Sequence, residues 1–121
     1  MKCTFIEYPK CSTCKNAKKY LQDLGVECKS RDIVNNTPSA EELKKIIDRS
    51  GEEIKKFFNT SGMLYKSMEL KDKLSTMTYD EKIELLASSG MLIKRPLIIF
   101  DNNIVIGFKK DKIYSIVKQG E

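Results

Sequence analysis

No histidine occurs anywhere in the 121 residues. That removes Cys–His and Ser–His catalysis, which need an imidazole to take the nucleophile's proton. It also weakens any zinc reading, because zinc wants four ligands, usually Cys or His. Arginine is nearly as scarce, with only Arg31, Arg49 and Arg95. No apolar run approaches the length of a membrane span. No block of five like charges exists either. The net charge of +5 is spread over lysine pairs such as Lys18-Lys19, Lys44-Lys45, Lys55-Lys56 and Lys109-Lys110. Such pairs read as solvated helix faces, so neither nucleic acid nor a membrane surface is an expected partner. There is no glycine-rich phosphate loop. The carboxylates fall mainly on helix faces and give no paired acid/base site. The start, Met1-Lys2-Cys3-Thr4-Phe5-Ile6, has too short an apolar stretch for the core of a signal peptide. A cytoplasmic, monomeric protein is expected.

What is present is one domain's worth of chain over residues 1–121, with an ordinary globular balance of 40% hydrophobic and 32% charged residues. Lys2 to Tyr8 alternates β-formers with polar residues and reads as a strand. Ser12 or Thr13 can cap a helix to about Leu24, with Ala17, Tyr20, Leu21 and Leu24 on one face. Gly25 is a natural terminator. Val26 to Val34 reads as a second strand, so the first third is β-α-β, long enough for a parallel crossover.

The middle is helical. Ser39 with Glu42, and Thr78 with Glu81, are capping-box patterns that open helices. Short helices are expected over 52–58 and 63–68, separated by the turn Asn59-Thr60-Ser61-Gly62. Near the end, Leu97 to Phe100 is an apolar run suited to a buried strand. Asp101-Asn102-Asn103 turns the chain back into Ile104 to Ile106, a hairpin. A last helix covers about Asp111 to Val117. The fold class is α/β: β-α-β, a helical insertion at about 39–90, then β-β-α on a mixed sheet. That order is the plan of thioredoxin-like proteins.

Four cysteines, Cys3, Cys11, Cys14 and Cys28, do not form a disulfide framework in a cytosolic chain. Cys11-Ser12-Thr13-Cys14 stands apart because it follows a strand and opens a helix. A thiol there meets unpaired N–H groups and the positive end of the helix dipole. Lys10 and Lys15 add positive charge. Such settings bring a cysteine pKa from about 8.5 toward roughly 3.5–7.5. Cys11 is the expected nucleophile and Cys14 the resolving thiol. Cys3 and Cys28 fall in strands and are expected to be buried packing. Pro96, at the mouth of a buried strand, cannot donate to a ladder. In a thioredoxin-like fold that proline is cis and borders the dithiol.

With the dithiol, Asn59-Thr60-Ser61-Gly62 and Lys94-Arg95-Pro96-Leu97 together, the chain resembles the arsenate reductase (ArsC)-like family from about Phe5 to Val117. The branch is the one that includes the Spx and MgsR regulators. The resemblance implies three activities. The first is a thiol–disulfide oxidoreductase, with Cys11, Cys14 and Arg95 catalytic and Pro96, Lys10 and Asn59 at the substrate. It would use no resident cofactor or metal, with glutathione as co-substrate or glutaredoxin as partner. The second is an Spx-type redox-switched regulator that binds the C-terminal domain of the RNA polymerase α subunit. The third is a glutaredoxin-coupled arsenate reductase. That last activity uses one cysteine, matched by Cys11, and arginines around the oxyanion. Only Arg95 matches those arginines, with Asn59 and Phe108 at the other two positions, and such enzymes lack a counterpart of Cys14. Arsenate reduction is therefore expected to be slight.

Overall fold

The computed structural model describes all residues, Met1–Glu121. The chain divides into two compact units, Met1–Asp32 with Arg95–Glu121, and Ile33–Lys94.

The first unit is built on a four-stranded sheet in the order β2-β1-β3-β4. Strand β1 (Lys2–Glu7) runs into helix α1 (Ser12–Asp23), and the chain returns as β2 (Glu27–Asp32). The two strands pair parallel, with Lys2 opposite Glu27 and Glu7 opposite Asp32. Strand β3 (Leu97–Ile99) lies antiparallel on the other side of β1, and β4 (Ile104–Ile106) pairs antiparallel with β3 as a hairpin. The sheet is thus mixed, as expected from the order of elements.

The spacing of apolar residues decides how α1 sits. Cys14, Ala17 and Leu21 recur at three and four residues and are fully buried. They join Phe5, Val26, Ile98 and Val105 in one core with Ile113, Ile116 and Val117 of the last helix. Gly25 ends α1 in a left-handed conformation, φ +82°, where an L side chain is strained. β2 is shorter than the expected Val26–Val34. The last helix (Lys110–Gln119) is longer than expected at both ends.

The second unit is helical. Helices α2 (Ala40–Ser50), α3 (Met63–Ser67), α4 (Leu70–Lys73) and α5 (Tyr79–Ser88) precede the last helix, which is therefore α6. Both capping boxes form as the sequence predicts. The Glu42 N–H donates to Ser39 Oγ and the Ser39 N–H to Glu42 Oε1, each at 3.1 Å. Thr78 and Glu81 repeat the exchange at 2.9 and 3.1 Å. Leu43, Ile46 and Ile47 of α2 are buried, as are Ile83 and Leu86 of α5, and the two helices pack together. The segment expected to be helical over 52–58 forms only a 3-10 turn at Ile54–Phe57. Its backbone is then drawn into extended pairing, with Phe58 bridging Ile93. The Lys94 N–H donates to the Phe57 carbonyl at 2.7 Å. Helix α5 stops at Ser88 rather than Gly90, and Gly90–Leu92 forms a separate 3-10 turn. Helix α4 lies outside the helices expected from sequence. It begins after Glu69, whose φ of +54° breaks the chain from α3, and it buries Leu70. No helix is long and apolar enough to cross a membrane.

Candidate active site

The loop after β1 positions the dithiol. The Cys11 N–H donates to the Tyr8 carbonyl at 2.9 Å, which closes a turn over Pro9 and Lys10. Cys11 is then extended, φ −90° and ψ 119°, and serves as the N-cap of α1. The sequence pattern points to Ser12 or Thr13 for that cap. Instead, the Cys14 N–H donates to Cys11 Sγ at 3.4 Å. A sulfur fills the place that serine or aspartate oxygens usually take. Both Ser12 and Thr13 are exposed, inside the first turn of the helix.

The two thiols sit in unlike surroundings. Cys11 is partly exposed, whereas Cys14 is completely buried in the core beneath α1. Burial alone would raise the Cys11 pKa. It is outweighed by the Cys14 backbone N–H, by the Cys14 thiol and by Arg95, which acts through a hydrogen bond and its charge. The net direction is downward, toward thiolate. Burial pushes Cys14 up to about 12, and the neighbouring Cys11 adds to the rise. Both thiols are free.

Arg95 lies in the same unit. Its guanidinium sits over the Tyr8 ring, 5.0 Å from the centroid. Its Nη1 is buried and has no hydrogen-bond partner. A buried guanidinium nitrogen left open is costly unless an acceptor arrives. The Arg95-Pro96 bond is cis. Pro96 is buried, and its carbonyl accepts from the Gly107 N–H at 2.8 Å.

The remaining sequence candidates are arranged differently. Lys10 is exposed. Lys15 is exposed too and lines a shallow depression with Glu7, Pro9, Lys18 and Asp32. Neither lysine is among the groups that lower the Cys11 pKa, contrary to the expectation from sequence. Flexible exposed ammonium groups are screened by water, and the nearby, partly buried guanidinium is not. Lys18 is committed elsewhere, as the ion-pair partner of the buried Glu7 carboxylate. Asn59 belongs to the helical unit. There its N–H donates to the Leu92 carbonyl at 2.8 Å, and its Oδ1 accepts from Ser61 Oγ at 3.3 Å. Phe108 packs at a tilt against Tyr20, ring centroids 5.7 Å apart. Lys110 Nζ covers both rings, at 5.5 and 5.8 Å. No group of three or more Cys, Asp or Glu side chains could hold a metal ion. The residue that sequence reasoning misses is Tyr8, the face on which Arg95 rests; its only sequence signal is an aromatic ring at the end of β1.

This arrangement makes one thiol ionise before the other. Cys11 is expected to react with iodoacetamide along a curve whose midpoint lies below the ordinary thiol value of about 8.5. Replacing Arg95 by methionine removes a group that favours the thiolate, so the midpoint moves up. Cys14 stays unlabelled until the pH nears about 12. Alkylation rates followed by peptide mass spectrometry test this. A midpoint unmoved by Arg95→Met would refute the part given to Arg95.

Comparison with known proteins agrees with this architecture. Residues 6–116 match the ArsC family. The protein YusI of Bacillus subtilis (strain 168) is 52% identical over 112 residues, covering 93% of this chain and 95% of its own. Regulatory protein MgsR of the same organism is 30% identical over 116 residues, covering 96% of this chain and 90% of its own. The crystal structure of an ArsC family related protein from Bacteroides fragilis superimposes with a TM-score of 0.91 at 47% identity, covering 97% of this chain and 98% of that one. The sheet order, the cysteine-capped helix and these matches lead to one classification: the chain belongs to the ArsC family, on a thioredoxin-like fold.

Proposed function

We propose that this protein is a thiol–disulfide oxidoreductase. The carrying observation is the asymmetry of its dithiol, a helix-capping Cys11 held toward thiolate beside a buried, protonated Cys14. The Cys11 thiolate attacks one sulfur of a substrate disulfide. The other sulfur leaves as a thiolate and takes up a proton. Cys11 now carries a mixed disulfide and no charge. That change removes a cause of the high Cys14 pKa, while the Arg95 charge continues to favour a Cys14 thiolate. Cys14 gives up its proton, attacks Cys11 Sγ and expels the second substrate thiolate. Two electrons have passed to the substrate, and a Cys11–Cys14 disulfide remains. Glutathione, or glutaredoxin charged by it, returns the dithiol.

Arg95, the cation beside Cys11, is the group that an anionic part of the substrate would meet. Lys10 and Pro96 flank the path to Cys11 in this reading. The substrate class is a low-molecular-weight or peptide mixed disulfide with glutathione. Turnover is measured by coupling such a substrate to glutathione and glutathione reductase. No turnover above the uncatalysed rate would overturn the proposal.

A second reading is favoured by the similarity to MgsR over nearly the whole chain. In it the same dithiol reports redox state, and the folded protein binds the C-terminal domain of the RNA polymerase α subunit. A pull-down against that domain with reduced and with oxidised protein separates the readings. Binding that depends on Cys11 without any turnover favours the regulator. Arsenate reduction is the weakest of the three, because Phe108 and Asn59 bring no charge to an oxyanion.

A further inference from the structure

Two thiols lie outside the dithiol. The parallel register of β1 and β2 sets Cys3 directly opposite Cys28, and their Sγ atoms are 3.8 Å apart. Adjacent strands hold paired Cα atoms about 4.8 Å apart, inside the roughly 4.4–6.8 Å that a disulfide spans. Closing the gap between the sulfurs therefore asks for side-chain rotation and no movement of strands. Cys3 is buried, 5% exposed, while Cys28 is only partly buried. One sulfur of the pair can meet a reagent and the other lies behind it. The sequence alone points to inert packing for both, a role that the sulfur–sulfur approach and the exposure of Cys28 do not require. The pair and the dithiol sit at opposite ends of β1: Cys3 lies near its start, and Cys11 follows its end.

We propose that Cys3 and Cys28 form a second oxidisable thiol pair, which closes into a disulfide joining the edge strand β2 to β1 when a low-molecular-weight disulfide is the oxidant. The Cys28 thiolate attacks one sulfur of the oxidant and expels the other half as a thiolate. Cys3 then loses its proton and attacks Cys28 Sγ, which expels the second half. Two protons and two electrons leave the protein, and the oxidant becomes two thiols. The cross-link joins the start of β1 to the start of β2 and closes the loop that carries Cys11 and Cys14.

Burial raises the Cys28 pKa and pushes Cys3 up to about 12, where Cys28 contributes as well. This pair is therefore slower than Cys11 and speeds up as the pH rises, because only thiolates attack. The two pairs close in order, the helix-start dithiol first and the strand pair under stronger or longer oxidation.

The test uses the full chain with Cys11→Ser and Cys14→Ser, treated while folded with oxidised glutathione at mildly alkaline pH. The expected product has lost two hydrogens and yields a cross-linked peptide joining Cys3 to Cys28. Its melting temperature rises by about 5 °C or more, since closing that loop restricts the unfolded chain. Adding Cys3→Ala should stop the reaction at a glutathione adduct on Cys28. In the wild-type protein, peptide mapping after Cys11–Cys14 has closed should find the same Cys3–Cys28 link, independent of how the variants fold. Thiols that stay reduced in the folded protein overturn the proposal. So does a glutathione adduct on Cys28 that never resolves while Cys3 is present.

Discussion

Cys11→Ser is expected to lower turnover of a glutathione mixed disulfide by at least about a thousandfold, because a serine hydroxyl cannot replace the thiolate that breaks the sulfur–sulfur bond. Cys14→Ser should behave differently. It keeps the nucleophile and removes the resolving thiol, so the first half of the reaction proceeds. The protein then accumulates as a mixed disulfide on Cys11 unless glutathione itself resolves it. Because the Cys14 side chain also helps hold Cys11 as a thiolate, the first step slows somewhat too. Rapid mixing followed by mass spectrometry distinguishes the two variants: no adduct in the first, a trapped adduct in the second. Arg95→Met should cost less than Cys11→Ser, roughly tenfold, because it removes one of the groups that hold Cys11 toward thiolate and leaves the sulfur in place. Turnover in Cys11→Ser equal to wild type would end the oxidoreductase reading.

The largest effect on stability is expected at Gly90, on which no chemistry depends. Gly90 is buried, and a Cβ built on it would lie 2.0 Å from the Ile33 carbonyl oxygen and 2.6 Å from the Ile33 carbonyl carbon. Those atoms are main chain, so no side chain can swing aside. Gly90→Ala is expected to destabilise the protein by about 3 kcal/mol or more, the upper range for forcing extra atoms into packed structure. That corresponds to a fall in melting temperature of about 10 °C for a chain of this size. Gly25→Ala is the control. Its Cβ would meet nothing within 4 Å, and its left-handed φ of +82° alone makes the change unfavourable, by about 1 kcal/mol. Urea unfolding of the two variants compares contact with conformation. Equal losses would show that the close approach at Gly90 relaxes.

Much of the frame is legible locally. The alternation in β1, the Ser39–Glu42 and Thr78–Glu81 boxes and the terminator Gly25 are each decided by neighbours within four residues. The hairpin of β3 and β4 is marked by Asp101-Asn102-Asn103 between apolar runs. What is not legible depends on distant partners. Residues 52–58 have helical spacing, but Phe58 and Phe57 are claimed by backbone pairing with Ile93 and Lys94, more than thirty residues on. Helix α4 hides in a lysine-rich stretch with one φ reversal at Glu69. At the site, Cys11, Cys14 and Arg95 stand out by spacing and neighbours. Their ranking does not, because local sequence makes Lys10 and Lys15 look like the important cations, and only folding brings Arg95 to the sulfur. The approach of Cys3 to Cys28 is set by strand register, which single-strand patterns leave open.

Because Cys11 sulfur is itself the cap of α1, the chemistry of that atom and the integrity of the helix end are one variable. A thiolate is a strong acceptor for the Cys14 amide; a sulfur tied into a disulfide or carrying a glutathione is a poor one. On the proposed reading, each turnover weakens and then restores the cap over the first turn of α1, at Ser12 and Thr13. Those two residues are exposed. The oxidation state of a half-hidden sulfur is thereby tied, on that reading, to the hydrogen bonding of an exposed helix start.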